Sequence, residues 1–91
     1  MMSRHNRLLE GRRVLVTGGA RGLGYAFAQA IGRAGARVVI ADVLQERVQQ
    51  AACELQALGL DVQAVAVDLA QPASIQACID STLGLLGGLD G

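Results

Sequence analysis

Thr17-Gly18-Gly19-Ala20-Arg21-Gly22-Leu23-Gly24 follows the β-branched run Arg13-Val14-Leu15-Val16-Thr17 and leads into a stretch of helical periodicity. That order, strand, glycine turn, helix, decides the fold. Beyond the glycines, Leu23, Phe27, Ala30, Ile31 and Ala34 recur by threes and fours, the spacing of one helix face, and Gly35 follows as a left-handed stop. The unit then repeats. Arg37-Val38-Val39-Ile40-Ala41 closes at Asp42, and Leu44, Val48, Ala51, Leu55 and Leu58 mark a second helix face ended by Gly59. Val62 to Val67 closes at Asp68-Leu69, and Ile75, Cys78, Ile79, Leu83 and Leu86 form a third face. Pro72 suits the first turn of that helix, where its missing N–H costs nothing. Nearly continuous apolar strands alternating with helices predict an α/β fold, a parallel sheet covered on both sides. With right-handed crossovers the residues make βαβαβα in strand order 3-2-1, the first half of a doubly wound sheet.

The glycine turn sits where a diphosphate would bind. The first N–H groups of a helix have no intrahelical partner and lie at the positive end of its dipole. Glycine permits positive φ in the tight turn and lets oxygens approach the backbone. Gly18 is expected to make the turn, and Gly22 and Gly24 to allow close approach and helix–strand packing. The spacing is G-x-x-x-G-x-G rather than G-x-G-x-x-G. Gly19 and Gly24 have the spacing of the other phosphate loop, G-x-x-x-x-G-K-[ST], but Tyr25 stands where its lysine should be.

Asp42 strengthens this reading. It closes the second strand 18 positions after Gly24 (42 − 24), near the roughly 20-residue offset of an acid that accepts both hydroxyls of an adenosine ribose. The same carboxylate repels a 2′-phosphate, which favours NAD over NADP. Arg21 pulls the other way, since a guanidinium beside Gly22 can pair with a 2′-phosphate or simply remain a solvated loop arginine. Asp68 and Leu69 end the third strand at the same sheet edge. There the carboxylate can accept from the adenine amino group and the Leu69 backbone can read the adjacent ring nitrogen; equally, Asp68 can cap the helix that follows.

The composition removes other functions. Ninety-one residues make one small domain, and 8 basic against 8 acidic residues leave a formal net charge of 0, with no electrostatic call for nucleic acid or an anionic membrane. At 52% hydrophobic and 18% charged the chain is too apolar to be disordered, and one Tyr, one Phe and no Trp give no stacking platform for single strands. All eight basic residues are Arg, so chemistry that needs a lysine ammonium cannot run on these residues. Cys53 and Cys78 are too few and too far apart for a metal site or a disulfide framework and read as two small core thiols in a reducing compartment. The N-terminal arm, residues 1–10, is polar, and neither a signal-peptide core nor an apolar run of about 18 residues is present, so a cytoplasmic location is expected. Tyr25 reads as a packing or surface residue, and His5 has no neighbour in sequence to pair with.

Four segments together carry a resemblance: TGGARGLG at 17–24, VVIADV ending in Asp42-Val43, VAVDL ending in Asp68-Leu69, and GGLDG at 87–91. From about residue 10 the chain resembles the N-terminal third of a short-chain dehydrogenase/reductase. The resemblance implies a Rossmann-like fold in which Gly18, Arg21, Gly22, Leu23 and Gly24 line the diphosphate and adenosine side. It places Asp42 at the ribose and Asp68 with Leu69 at the adenine. It further implies hydride transfer between NAD(H) and a small-molecule alcohol or carbonyl, and a homo-oligomer for the complete protein. GGLDG looks like the approach to the family's fourth strand. The family's catalytic Tyr-x-x-x-Lys is not here, since Gln29 stands four residues after Tyr25, so no catalytic residue is assigned and the 91 residues alone are expected to be inactive. They are expected to be the N-terminal part of a larger domain, or a truncated product, with an unpaired edge on the first strand. Two other readings compete: a non-catalytic dinucleotide sensor or interaction module, and a methyltransferase with a nucleoside cosubstrate. The latter's cosubstrate has no diphosphate to occupy the loop.

Overall fold

The computed structural model describes residues 8–91; His5 and most of the N-terminal arm fall on residues 1–7, outside the described residues. Strands β1 (Arg13–Thr17), β2 (Arg37–Asp42) and β3 (Val62–Ala66) alternate with helices α1 (Gly22–Arg33), α2 (Gln45–Ala57) and α3 (Pro72–Leu86). The strands form one parallel sheet in the order β1-β2-β3, which is 3-2-1 read from the opposite edge. Register runs from Arg13 opposite Arg37 to Thr17 opposite Ala41, and from Val38 opposite Val62 to Asp42 opposite Ala66. The Rossmann-like half-sheet expected from the sequence is the structure.

Alternation along the strands sorts the core into two sides. Val16, Val38, Ile40 and Val62 pack with Ala28 and Ile31 of α1 and Val48, Ala51 and Leu55 of α2. Ala41 and Val67, with partly buried Leu15 and Val65, meet Cys78 and Ile75 of α3 on the other side. β2 lies between its neighbours and is covered on both faces, so Val38, Val39, Ile40 and Ala41 are all fully buried. Its unbroken apolar run is the signature of that position. α1 and α2 share a face because the chain travels in one direction from β1 to β3. On the return past β2 a crossover of fixed hand must lie on the opposite face, where α3 is found.

The return ends beside β1. The Asp90 N–H donates to the Arg13 carbonyl at 2.7 Å and the Leu15 N–H to the Gly91 carbonyl at 2.8 Å. The expectation of an unpaired edge on β1 is therefore corrected over its first half, which Asp90 and Gly91 occupy as a parallel neighbour. A side-chain clasp fixes the pairing: the Arg13 Nε lies 3.1 Å from Asp90 Oδ2, and the Arg13 backbone N–H donates to the same oxygen at 2.8 Å. The hydrogen bonds from Arg13 hold the Asp90 carboxyl below the usual carboxylate range, and Asp90 in turn raises the Arg13 guanidinium.

The helix faces differ in part from the expected stripes. α1 buries Ala28, Ile31 and Gly32, while Leu23 (86% exposed) and Phe27 (54%) remain in water. Small residues line the buried face of the helix; a Cβ on Gly32 would sit 3.2 Å from Leu60 Cδ1, in the turn before β3. α2 follows the expected stripe at Val48, Ala51 and Leu55, whereas Leu44 and Leu58 lie just beyond its ends, half exposed. In α3 the buried position between Cys78 and Leu86 is Thr82, not Ile79 or Leu83; its hydroxyl donates to the Cys78 carbonyl at 2.8 Å and so is matched despite its burial. Cys78 is buried, but Cys53 is exposed, which corrects the reading of it as a core thiol. Gly35, at φ +99°, ends α1 as expected. Behind it the Leu9 N–H reaches the Ala34 carbonyl at 2.8 Å and the Gly11 N–H the Gly35 carbonyl at 3.1 Å, giving partners to carbonyls that a helix end leaves open.

Candidate dinucleotide site

Parallel strands deliver their last residues to one edge, and here that edge collects Thr17 and Gly18 from β1, Asp42 from β2, and Asp68 and Leu69 just past β3. Together with Val43, Val67 and Ala70 they line a cleft of about 300 Å³. Four of the expected site residues, Gly18, Asp42, Asp68 and Leu69, thus share one cavity.

The loop divides the work of its glycines differently from expectation. Gly18 (φ +69°) and Gly22 (φ +63°) both adopt left-handed backbone with nothing within 4 Å of where a Cβ would stand. A side chain there costs about 1–2 kcal/mol in backbone strain alone. Close packing falls instead to Gly24 and to Gly19. A Cβ on Gly24 would collide with the Gly18 carbonyl oxygen, and one on Gly19 would lie 2.7 Å from Ile40 Cβ. Gly22 is therefore a turn glycine rather than a packing glycine. Gly19 went unread because the residue it rests on, Ile40, is 21 positions away; the signal was the β-branched residue two places before Asp42.

The backbone amides fall into two groups. Gly18 and Gly19 donate to the Ala41 carbonyl at 2.7 and 3.3 Å, and Ala20 donates to Asp42 Oδ2 at 3.2 Å. The amides of Arg21, Gly22, Leu23 and Gly24 find no acceptor among the described residues. Arg21 occupies the N-cap position of α1, where its side chain has no acceptor atom to offer, and the first turn carries no acid. Open amides at the positive end of a 12-residue helix, with no Cβ over Gly22, fit a diphosphate.

Asp42 is half-buried, and its second oxygen, Oδ1, accepts the Val43 N–H at 2.7 Å. Asp68 uses Oδ1 to accept the Ala70 N–H at 3.0 Å, while its own N–H donates to Ser74 Oγ at 2.8 Å. The cap position of α3 belongs to Gln71, so Asp68 shapes the turn rather than capping the helix, and its Oδ2 receives no donor among the described residues. Leu69 is 65% exposed at the cleft wall. Arg21 and Leu23 are exposed and do not line the cleft; Arg21 has no ion-pair partner among the described residues. Tyr25 is partly buried and donates to Glu54 Oε1 at 3.1 Å, joining α1 to α2; burial first, then the carboxylate, raises its phenol above the ordinary tyrosine value. No described helix is long and apolar enough to cross a membrane.

A family model described as short chain dehydrogenase matches residues 12–91. The chain is 42% identical over 82 residues to 1-deoxy-11-beta-hydroxypentalenate dehydrogenase of Streptomyces avermitilis, a match covering 90% of this chain and 30% of that protein. It resembles a solved short chain dehydrogenase from Burkholderia cenocepacia J2315 in complex with NADP, with a TM-score of 0.82 and 40% identity over 93% of this chain and 35% of that one. A short chain dehydrogenase/reductase from Burkholderia phymatum in complex with NAD gives a TM-score of 0.84 and 30% identity, over 90% and 29%. The chain spans about 30% of the length of the first curated relatives it matches. Sequence and fold thus point the same way over nearly all of the described residues: the chain belongs to the short chain dehydrogenase family.

Proposed function

We propose that these residues form the dinucleotide-binding part of an oxidoreductase that moves hydride between NAD(H) and an alcohol or carbonyl carbon. The observation that carries the proposal is the pairing of open amides at Gly22, Leu23 and Gly24 with a carboxylate at the adjoining strand end. In this reading the amides hold the diphosphate, Asp42 accepts from the adenosine ribose, and Asp68 and Leu69 meet the adenine. The bound coenzyme supplies the hydride or its acceptor. Relatives solved with NAD and with NADP support a nicotinamide dinucleotide of either kind, so the choice between them rests on Asp42 and Arg21.

Magnitudes decide between the two side chains. A 2′-phosphate placed about 4 Å from the half-buried Asp42 meets a repulsion on the order of 4 kcal/mol per charge at an effective dielectric of 20. Arg21 is exposed, and a solvated ion pair returns about 1 kcal/mol at most. NAD is favoured. A methyltransferase cosubstrate carries no diphosphate and leaves the loop amides unanswered. We further place the complete protein in the cytoplasm, as a homo-oligomer acting on a small molecule rather than on nucleic acid or a membrane. Titration of the full-length polypeptide with NADH and NADPH tests the central assignment: NADH should bind at least tenfold tighter, and equal dissociation constants refute the role of Asp42.

A further inference from the structure

Three consecutive loop amides are tied to two consecutive residues of β2. Gly18 and Gly19 donate to the Ala41 carbonyl, and Ala20 donates to the Asp42 side chain across 22 positions of sequence. The next four amides, Arg21 to Gly24, are open. The loop's amides are therefore tied up to Ala20 and open beyond it, where α1 begins, and the last tie before the open amides is a carboxylate. A carboxylate oxygen is a charged acceptor, and here it takes the Ala20 N–H at 3.2 Å.

The geometry points to Asp42 as the residue that positions the glycine loop, through the Ala20 amide, before any ligand arrives. Its Oδ1 is anchored on its own neighbour, the Val43 amide at 2.7 Å, which turns Oδ2 toward Ala20. Each carboxylate oxygen has two acceptor sites, so both remain able to accept a sugar hydroxyl while the brace is in place. The brace keeps Ala20 from donating to a ligand and presents the following amides as a fixed set. This deepens the dinucleotide assignment and rests on it for the identity of the ligand alone. One carboxylate then serves two purposes, and changing it to alter coenzyme choice also loosens the loop.

The test compares the full-length polypeptide with Asp42→Asn and Asp42→Ala, reading hydrogen exchange of the loop amides and affinity for inorganic pyrophosphate. Pyrophosphate has no ribose, so a lost sugar contact cannot affect it. In Asp42→Ala the Ala20 amide should exchange about tenfold faster or more, with Gly18 and Gly19 unchanged because Ala41 holds them. Asp42→Asn keeps one acceptor oxygen and should fall between the two. Pyrophosphate should bind about fivefold more weakly in Asp42→Ala, although a nearby negative charge has been removed. Ala20 exchanging at the wild-type rate overturns the proposal, as does pyrophosphate affinity that is unchanged or improved. Equal loss of protection at Gly18, Gly19 and Ala20, or failure of both variants to fold, also overturns it, since Asp42 would then hold the sheet edge rather than one amide. If Asp42→Ala alone fails to fold, Asp42→Asn carries both measurements. Equal NADH and NADPH affinities alongside the Ala20 effect sink the NAD assignment and leave the brace standing.

Discussion

Among the described residues, eleven buried ones make one cluster on the α1/α2 face of the sheet, from Val16 to Val62; on the α3 face three do, Ala41, Val67 and Cys78. Two helices cover the first face. One covers the second, where Leu15, Val65 and Ile75 are only partly enclosed. The glycine loop belongs to the better-filled side: Gly19 rests on Ile40, which is in the larger cluster, and α1 packs on the same strands. The difference teaches that the loop leans on the larger of the two clusters, through Gly19 on Ile40, and not on the smaller one under α3.

Substitutions can sharpen or break that contrast. Gly24→Ala should have the largest effect, about 4 kcal/mol in urea unfolding together with loss of NADH binding, because its Cβ meets a backbone carbonyl that cannot swing aside. Leu55→Ala, fully buried in the larger cluster, should cost about 3 kcal/mol. Ile75→Ala, only partly buried on α3, should cost about 1 kcal/mol. An Ile75 cost equal to that of Leu55 would show that the two faces are equally filled and remove the contrast.

The smallest effect concerns acid. Because Asp90 is held below its unfolded value, near 3.9, its contribution is present above pH 4 and fades as pH falls through the lower folded value. Protection of the Leu15 amide, which donates to Gly91, measured against its intrinsic exchange rate at each pH, should therefore fall below pH 4, and Asp90→Asn should flatten that dependence. A Leu15 amide indifferent to both would show that the Arg13 clasp does not hold the chain end against β1.

The sheet was legible in the sequence because an apolar run ending in an acid marks both a buried strand and its ligand-facing end. Asp42 and Asp68 fell at the same edge for that reason. The face of α1 was not legible in the same way. Helical periodicity follows the largest apolar side chains, Leu23 and Phe27, whereas close contact with a sheet selects small ones, Ala28 and Gly32. Thr82 escaped for a related reason, since a hydroxyl bonded to the carbonyl four residues back is buried without being apolar. Cys53 could have been placed: it lies off the stripe of Val48, Ala51, Ala52 and Leu55 on its own helix. The amide held by Asp42 was out of reach, because it depends on the loop's path and not on any residue type.

The latch of Leu9 and Gly11 onto Ala34 and Gly35 acts on the loop from a distance. α1 is a rod about 18 Å long, gripped at the rear by this latch and at the front by Gly24 seated against Gly18. A rod held at both ends cannot slide along its axis. Slack introduced at Leu9 should thus be felt at the opposite tip, as a looser grip on whatever anion rests there.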